Sequence, residues 1–141
     1  MAPIGGTARV VAVVALASLV TCGGPAGPTG GQVEIGSWGG DHVRLDITPR
    51  GGTAEYDCAH GTIDEALVAD RDGRFSASGT HTFEHGGPIR DDEMPNRHPA
   101  RYDGRVTSEK LQLTVTVTDT QQIIGPFTLT RGATSRLVRC L

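Results

Sequence analysis

From Ser37 onward the apolar side chains recur with a period of two, the repeat of strands with one buried face. In His42–Thr48, Val43, Leu45 and Ile47 share one face, while His42, Arg44 and Asp46 share the other. Pro49-Arg50-Gly51-Gly52 signals a turn. Ala54, Tyr56 and Cys58 then alternate with Thr53, Glu55 and Asp57. A third strand is expected around Leu67. Asp70-Arg71-Asp72-Gly73 reads as a hairpin turn, because Asp and Gly accept positive φ. Phe75, Ala77, Gly79, His81 and Phe83 keep strict parity, and Tyr102, Gly104 and Val106 mark the next strand. The clearest alternation sets Leu111, Leu113, Val115 and Val117 against Gln112, Thr114 and Thr116. Asp119 to Gln122 turns it, and Phe127 and Leu129 alternate with Thr128 and Thr130. A last short strand is expected over Leu137–Cys140.

No stretch in this region carries a helical period. About eight short strands joined by tight turns predict an all-β fold, an antiparallel meander. Closure into a barrel removes exposed edges, so a small, mostly filled barrel is expected, with a β-sandwich as the alternative. Few large side chains point inward, which argues against a roomy lipid or haem cavity.

The first residues follow a different rule. Val10 to Val20 is an apolar run broken only by Ser18. At about eleven residues it is short for a membrane-spanning helix, which needs about twenty. Arg9 and the terminal amine precede it, the charge order of a secretory signal. The run ends in Leu19-Val20-Thr21-Cys22, which resembles a bacterial lipobox. That resemblance implies cleavage before Cys22 and a diacylglyceryl group on its sulfur. The alternatives are ordinary cleavage, after Ala15-Leu16-Ala17, or an uncleaved anchor. Gly23 to Gly31 reads GGPAGPTGG, a flexible tether that cannot bury apolar surface. The expected organisation is a signal peptide over 1–21, a lipidated cysteine and tether over 22–35, and a β domain over 36–141. Localisation follows: the cell envelope, lipid-anchored, and the outer membrane if the cell has two, with a secreted or periplasmic protein as the alternative. The membrane is then a partner through the lipid, and a monomer is expected.

Composition narrows the function. The formal net charge of −3 gives no dense positive surface for nucleic acid. With Cys22 acylated, Cys58 and Cys140 remain, a natural disulfide pair in an oxidising compartment. Closing a loop of that length stabilises by up to about 4 kcal/mol on the chain-entropy model. Two separate buried thiols are the other reading.

Gly36-Ser37-Trp38, just before the first strongly alternating strand, resembles the Gly-x-Trp start of calycin barrels such as lipocalins. The resemblance implies that Trp38 closes one barrel end and that an Arg near the last strand packs across it. Arg131 shares parity with Phe127 and Leu129 and fits that role; Arg136 is the alternative. The strings GSWGGDHVRL, DCAHGTI, GRFSASGTH, EHGGP, RHPARYDGRV, LTVTVTDT, FTLTRG and RCL resemble small bacterial secreted or lipid-anchored proteins. That likeness, over most of residues 36–141, implies a shared fold and brings no activity with it.

Histidines are the main candidates for chemistry. His60 continues the parity of Tyr56 and Cys58, and His81 and His85 continue that of Phe75 and Ala77. On one interior face, three imidazoles would suit zinc or copper and leave a position open for water, with Asp57 or Glu84 in support. The other reading is that they bond loop carbonyls and fix turns; no cofactor is then expected. His42 points to solvent by parity, and His98 lies among charged residues. Gly86 to Ala100 is the longest expected connection. Its Asp91, Asp92 and Glu93 lack the spacing of a calcium loop. They are expected to pair with Arg90, Arg97, Arg101 or Arg105. No Gly-x-Ser-x-Gly elbow is present. A Cys58–His60 dyad conflicts with an oxidised Cys58. The leading expectation is a non-enzymatic envelope lipoprotein whose barrel presents a small ligand, a polymer or an envelope protein with a binding surface. A metal-binding module and a hydrolase with an unrecognised site are the alternatives.

Overall fold

A computed structural model describes Gly5, Gly6 and residues 30–141. Cys22 and the expected signal lie outside the described residues. The chain forms β1 (Gly36–Gly40), β2 (Val43–Thr48), β3 (Gly51–Tyr56), β4 (Ala59–Ile63), β5 (Arg74–Phe83), β6 (Asn96–Thr107), β7 (Lys110–Val117) and β8 (Gln122–Arg131). All neighbours pair antiparallel in sequence order, and β1 meets β8 through Trp38↔Arg131 and Gly39↔Thr130 to close an eight-stranded barrel. The predicted all-β meander therefore closes, and the sandwich alternative falls away.

The alternation explains the closure. Inward residues of β2, β5 and β7 are buried, and their outward neighbours are mostly polar and exposed. Trp38, Leu45, Tyr102, Leu111, Leu113 and Leu129 fill the interior. Burying each such side chain contributes about 1.5–3 kcal/mol of hydrophobic stabilisation. Space is rationed by glycine: a Cβ on Gly61 would lie 1.9 Å from the Tyr102 hydroxyl, so only glycine admits that ring.

Several expectations shift. The predicted strand around Leu67 is replaced by β4; Leu67 is buried, but it sits in the β4–β5 connection. β1 is a strand in its own right. β6 already begins at Asn96, so the long connection spans 84–95 and His98 belongs to a strand. No strand forms over Leu137–Cys140. That segment ends a strap that leaves β8 and runs along β1. Gly132 N donates to Ser37 O at 2.8 Å, Arg136 N to Gly40 O at 3.2 Å, and His42 N to Arg136 O at 2.9 Å. Gly39 makes room for it, since a Cβ there would lie 2.1 Å from the Ala133 carbonyl oxygen. The strap ends in the expected disulfide, Cys58–Cys140, with a Cα–Cα distance of 5.4 Å.

The two barrel ends differ. At the base, the β4–β5 connection and residues 31–35 form a stopper. Val33 N donates to Leu67 O and Ala69 N to Gly31 O, each at 2.9 Å, and Val33, Leu67 and Ala69 are buried. The end of the segment read from sequence as tether thus docks on the barrel. The other end, the mouth, carries the β1–β2, β3–β4 and β7–β8 turns and the 84–95 connection.

Candidate functional site at the barrel mouth

The chain has only three Phe, two Tyr and one Trp. Tyr56, Phe83 and Phe127 come together at the mouth with His81 and His98. Ring centroids run Phe127–Tyr56 at 5.5 Å, Tyr56–His81 at 5.2 Å, His81–Phe83 at 4.6 Å and Phe83–His98 at 5.7 Å. The last two contacts are edge-to-face, a favoured arrangement of ring quadrupoles. With Ile124, the rings of Tyr56, His81, Phe83 and Phe127 border a shallow apolar depression of about 320 Å³.

Beneath it lie two unpaired polar atoms. Among the described residues, Tyr56 Oη and His81 Nδ1 are the buried side-chain polar atoms without a hydrogen-bond partner. Tyr102 Oη is close by; it donates to the Thr80 carbonyl at 2.7 Å, and its free lone pair is the nearest acceptor for the Tyr56 hydroxyl, which leaves His81 Nδ1 as the atom with no protein partner at hand. Burial pushes the Tyr56 phenol up, and the Tyr102 phenol adds to the effect. Burial likewise pushes Tyr102 up to about 12. His81 is driven down, first by desolvation and then by His60 and His98, so the imidazole is neutral at neutral pH. A neutral imidazole nitrogen and a neutral phenol can each exchange a hydrogen bond with a ligand.

The other four histidines each meet a carboxylate around the rim. His42 Nδ1 lies 2.6 Å from Asp57 Oδ2, His60 Nδ1 2.5 Å from Glu84 Oε1, and His98 Nδ1 2.7 Å from Asp119 Oδ2. His85 Nε2 meets Glu93 Oε1, and its Nδ1 lies 2.9 Å from the Gly86 carbonyl oxygen. The second Asp57 oxygen accepts from Val138 N at 2.8 Å. That bond, followed by His42, holds the Asp57 carboxyl below its ordinary range. His85 is pushed up by the Gly86 carbonyl and by Glu93, and Glu93 is pulled down by His85. His98 pulls Asp119 down in the same way. None of these imidazoles is hydrogen-bonded to a hydroxyl, and Cys58 is oxidised, so the pairs hold no activated nucleophile.

The three histidines grouped by sequence parity separate. The Asp57-Cys58 turn resets the alternation, so His60 faces out on β4 while Ala59 and Gly61 face in. His81 points inward, and His85 lies beyond the end of β5. Among the described residues, no three His, Cys, Asp or Glu side chains are grouped to hold a metal. Trp38 is fully buried and its Nε1 donates to the Glu34 carbonyl at 3.1 Å. Arg131 stands opposite Trp38 in register and reaches the Glu34 carboxylate at 3.4 Å. Arg136 instead pairs through its backbone with the β1–β2 turn at the mouth, in a parallel bridge with Asp41. Of the long-connection acids, Asp92 pairs with Arg90 at 3.5 Å and Glu93 with His85, while Arg101 pairs with Asp103 and Arg105 reaches the Asp72 carbonyl. Sequence reasoning missed His98 and the ring belt. The parity of His98, Ala100 and Tyr102 is present in the sequence, but Gly86 to Ala100 reads as one long connection.

Comparison of the chain with protein-family models, with curated proteins and with solved structures returns no match.

Proposed function

We propose that this chain is a bacterial envelope lipoprotein, acylated on Cys22, whose barrel is a non-enzymatic binding module for a small, uncharged, ring-bearing molecule at its mouth. One observation carries the binding reading: a buried, unpaired polar atom, His81 Nδ1, lies beside the Tyr56 phenol beneath a ring-lined depression. Native interiors rarely leave such an atom unsatisfied, so it calls for a partner from outside the chain, a ligand or an ordered water. An apolar surface with a few convergent polar groups is the usual make-up of a small-molecule site. The depression of about 320 Å³ lies at the small end of that range. Charged ligands are disfavoured, because the acid lining the depression, Asp57, is already bonded to His42 and to Val138 N and the floor offers no other counter-ion. The described chain enters at the base, where Gly30 lies against Ala69, which supports a mouth directed away from the anchoring membrane. Trp38 and Arg131, neighbours across the β1–β8 seam, favour kinship with calycin barrels.

Two experiments test this. Amide NMR titration with phenol should shift resonances of residues 56, 81–83 and 124–127, whereas benzoate and benzylammonium should not. Uniform shifts, or shifts confined to the base, would sink the mouth site. For the anchor, cells fed labelled palmitate should label the protein but not its Cys22→Ser variant; label surviving in that variant refutes acylation at Cys22.

A further inference from the structure

All five histidines of the chain lie at the mouth end, and four hold a carboxylate. Three ties join different mouth segments and the fourth staples one connection to itself. His42–Asp57 links the β1–β2 and β3–β4 turns. His60–Glu84 links β4 to the residue after β5. His85–Glu93 spans the 84–95 connection, and His98–Asp119 links β6 to the β7–β8 turn. No equivalent tie exists at the base among the described residues.

The hydrogen-bond inventory makes two of these ties depend on proton occupancy. The two ring nitrogens of His85 face the Gly86 carbonyl and the Glu93 carboxylate, both acceptors. Those of His98 face the Asp119 carboxylate and, at 2.8 Å, Asn96 Oδ1. A neutral imidazole has one N–H and can serve only one of two acceptors; an imidazolium serves both. Deprotonation therefore forces His85 to give up one contact.

We propose that the four His–carboxylate ties form a pH-responsive collar, holding the mouth segments together under mildly acidic conditions and loosening them as the imidazoles lose their protons. This regulates the mouth site and rests on that reading for its purpose. The groups facing the collar fit the assignment. Asp41 and Arg136 flank His42, and Glu55 stands opposite His60 in register, with Arg139 lining the same cleft. Arg90 is occupied by Asp92 beside Glu93, and His81 faces His98 as a neutral ring. The high proton affinity of His85 and the acid-shifted carboxyls of Asp57, Glu93 and Asp119 have the sign that charged ties require.

Amide hydrogen exchange on the full disulfide-bonded protein tests it, compared between about pH 5.5 and about pH 8. The base turns, through the amides of Arg50, Ser108 and Glu109, serve as the internal standard for intrinsic exchange. Exchange of 41–43, 57–58, 84–95 and 118–121 relative to that standard should rise about three-fold on going to alkaline pH, the scale expected of exposed ion pairs. His85→Gln should abolish the response of 86–95 alone, and His98→Gln that of 118–121 alone. A constant mouth-to-base ratio, a response of 86–95 that survives His85→Gln, or a response of 118–121 that survives His98→Gln overturns the collar. Phenol titration in the same samples separates the two readings. Binding with a flat ratio overturns the collar and leaves the mouth site. A pH-dependent ratio without binding supports the collar and counts against the site.

Discussion

Replacing His81 by phenylalanine should make the protein more stable and disable its mouth. His81 is only 1% exposed, and its Nδ1 has no partner. An unsatisfied buried polar atom costs about 1–3 kcal/mol. Phenylalanine removes that atom while keeping a ring against Phe83 and Tyr56, now 4.6 and 5.2 Å from the imidazole. Overpacking costs about 1–3 kcal/mol where a core cannot yield, but here the larger ring adjoins the open depression. The expected net gain is about 1–2 kcal/mol, or about 3–6 °C in Tm per kcal/mol for a domain of this size. Acid sharpens the comparison. Desolvation holds the folded His81 below its ordinary pKa, so the unfolded chain takes up this proton more readily than the folded one. The stability tied to neutral His81 is complete above about pH 6.5 and is lost as pH falls toward the folded value, by at most about 1.4 kcal/mol per pH unit. His81→Phe lacks that loss, so its advantage should widen with acid. Urea denaturation of both proteins over a pH series gives the difference directly and cancels the other titrating groups. A variant less stable than the parent at neutral pH, or an advantage that does not change with pH, refutes the reasoning. The same variant should show no phenol-induced shifts at the mouth.

Two further outcomes follow from the strap. Cys58→Ser with Cys140→Ser should cost about 2–5 kcal/mol in urea denaturation, and an unchanged midpoint would mean that the strap holds without its tie. Gly39→Val drives a Cβ to within 2.1 Å of the Ala133 carbonyl oxygen; a loss of about 1–3 kcal/mol, with faster amide exchange confined to 133–140, is expected. Exchange accelerated at the base instead would show that β1 itself, and not the strap, gives way.

Strands were legible wherever side chains of contrasting polarity alternate, as in β2, β5 and β7. β1 was hidden because Gly36, Gly39 and Gly40 leave Trp38 as its one large apolar side chain. β4 was hidden for a packing reason: Gly61 faces inward to admit the Tyr102 ring, and an inward glycine erases the alternation that would announce it. The site was harder to read. Its rings come from β3, β5, β6 and β8, and only the register of a closed barrel makes neighbours of Tyr56, His81 and Phe127. The suspected metal triad failed at one step, where parity was carried through the Asp57-Cys58 turn and assigned His60 to the wrong side of the wall. The Cys58–Cys140 pairing, by contrast, needed only a count of thiols once Cys22 was set aside.

The barrel is unevenly stitched. Two residue pairs join β1 to β8, whereas ten join β5 to β6. Breathing of the wall should therefore start at that join, where the least structure must be undone. The strap stiffens it by continuing β8 along β1 and anchoring beyond it. Under reducing conditions the anchor is lost, and the cylinder can spring into a curved sheet with two bare margins. Such margins recruit strands from other molecules, so loss of one sulfur–sulfur link should appear first as clumping rather than as simple unfolding.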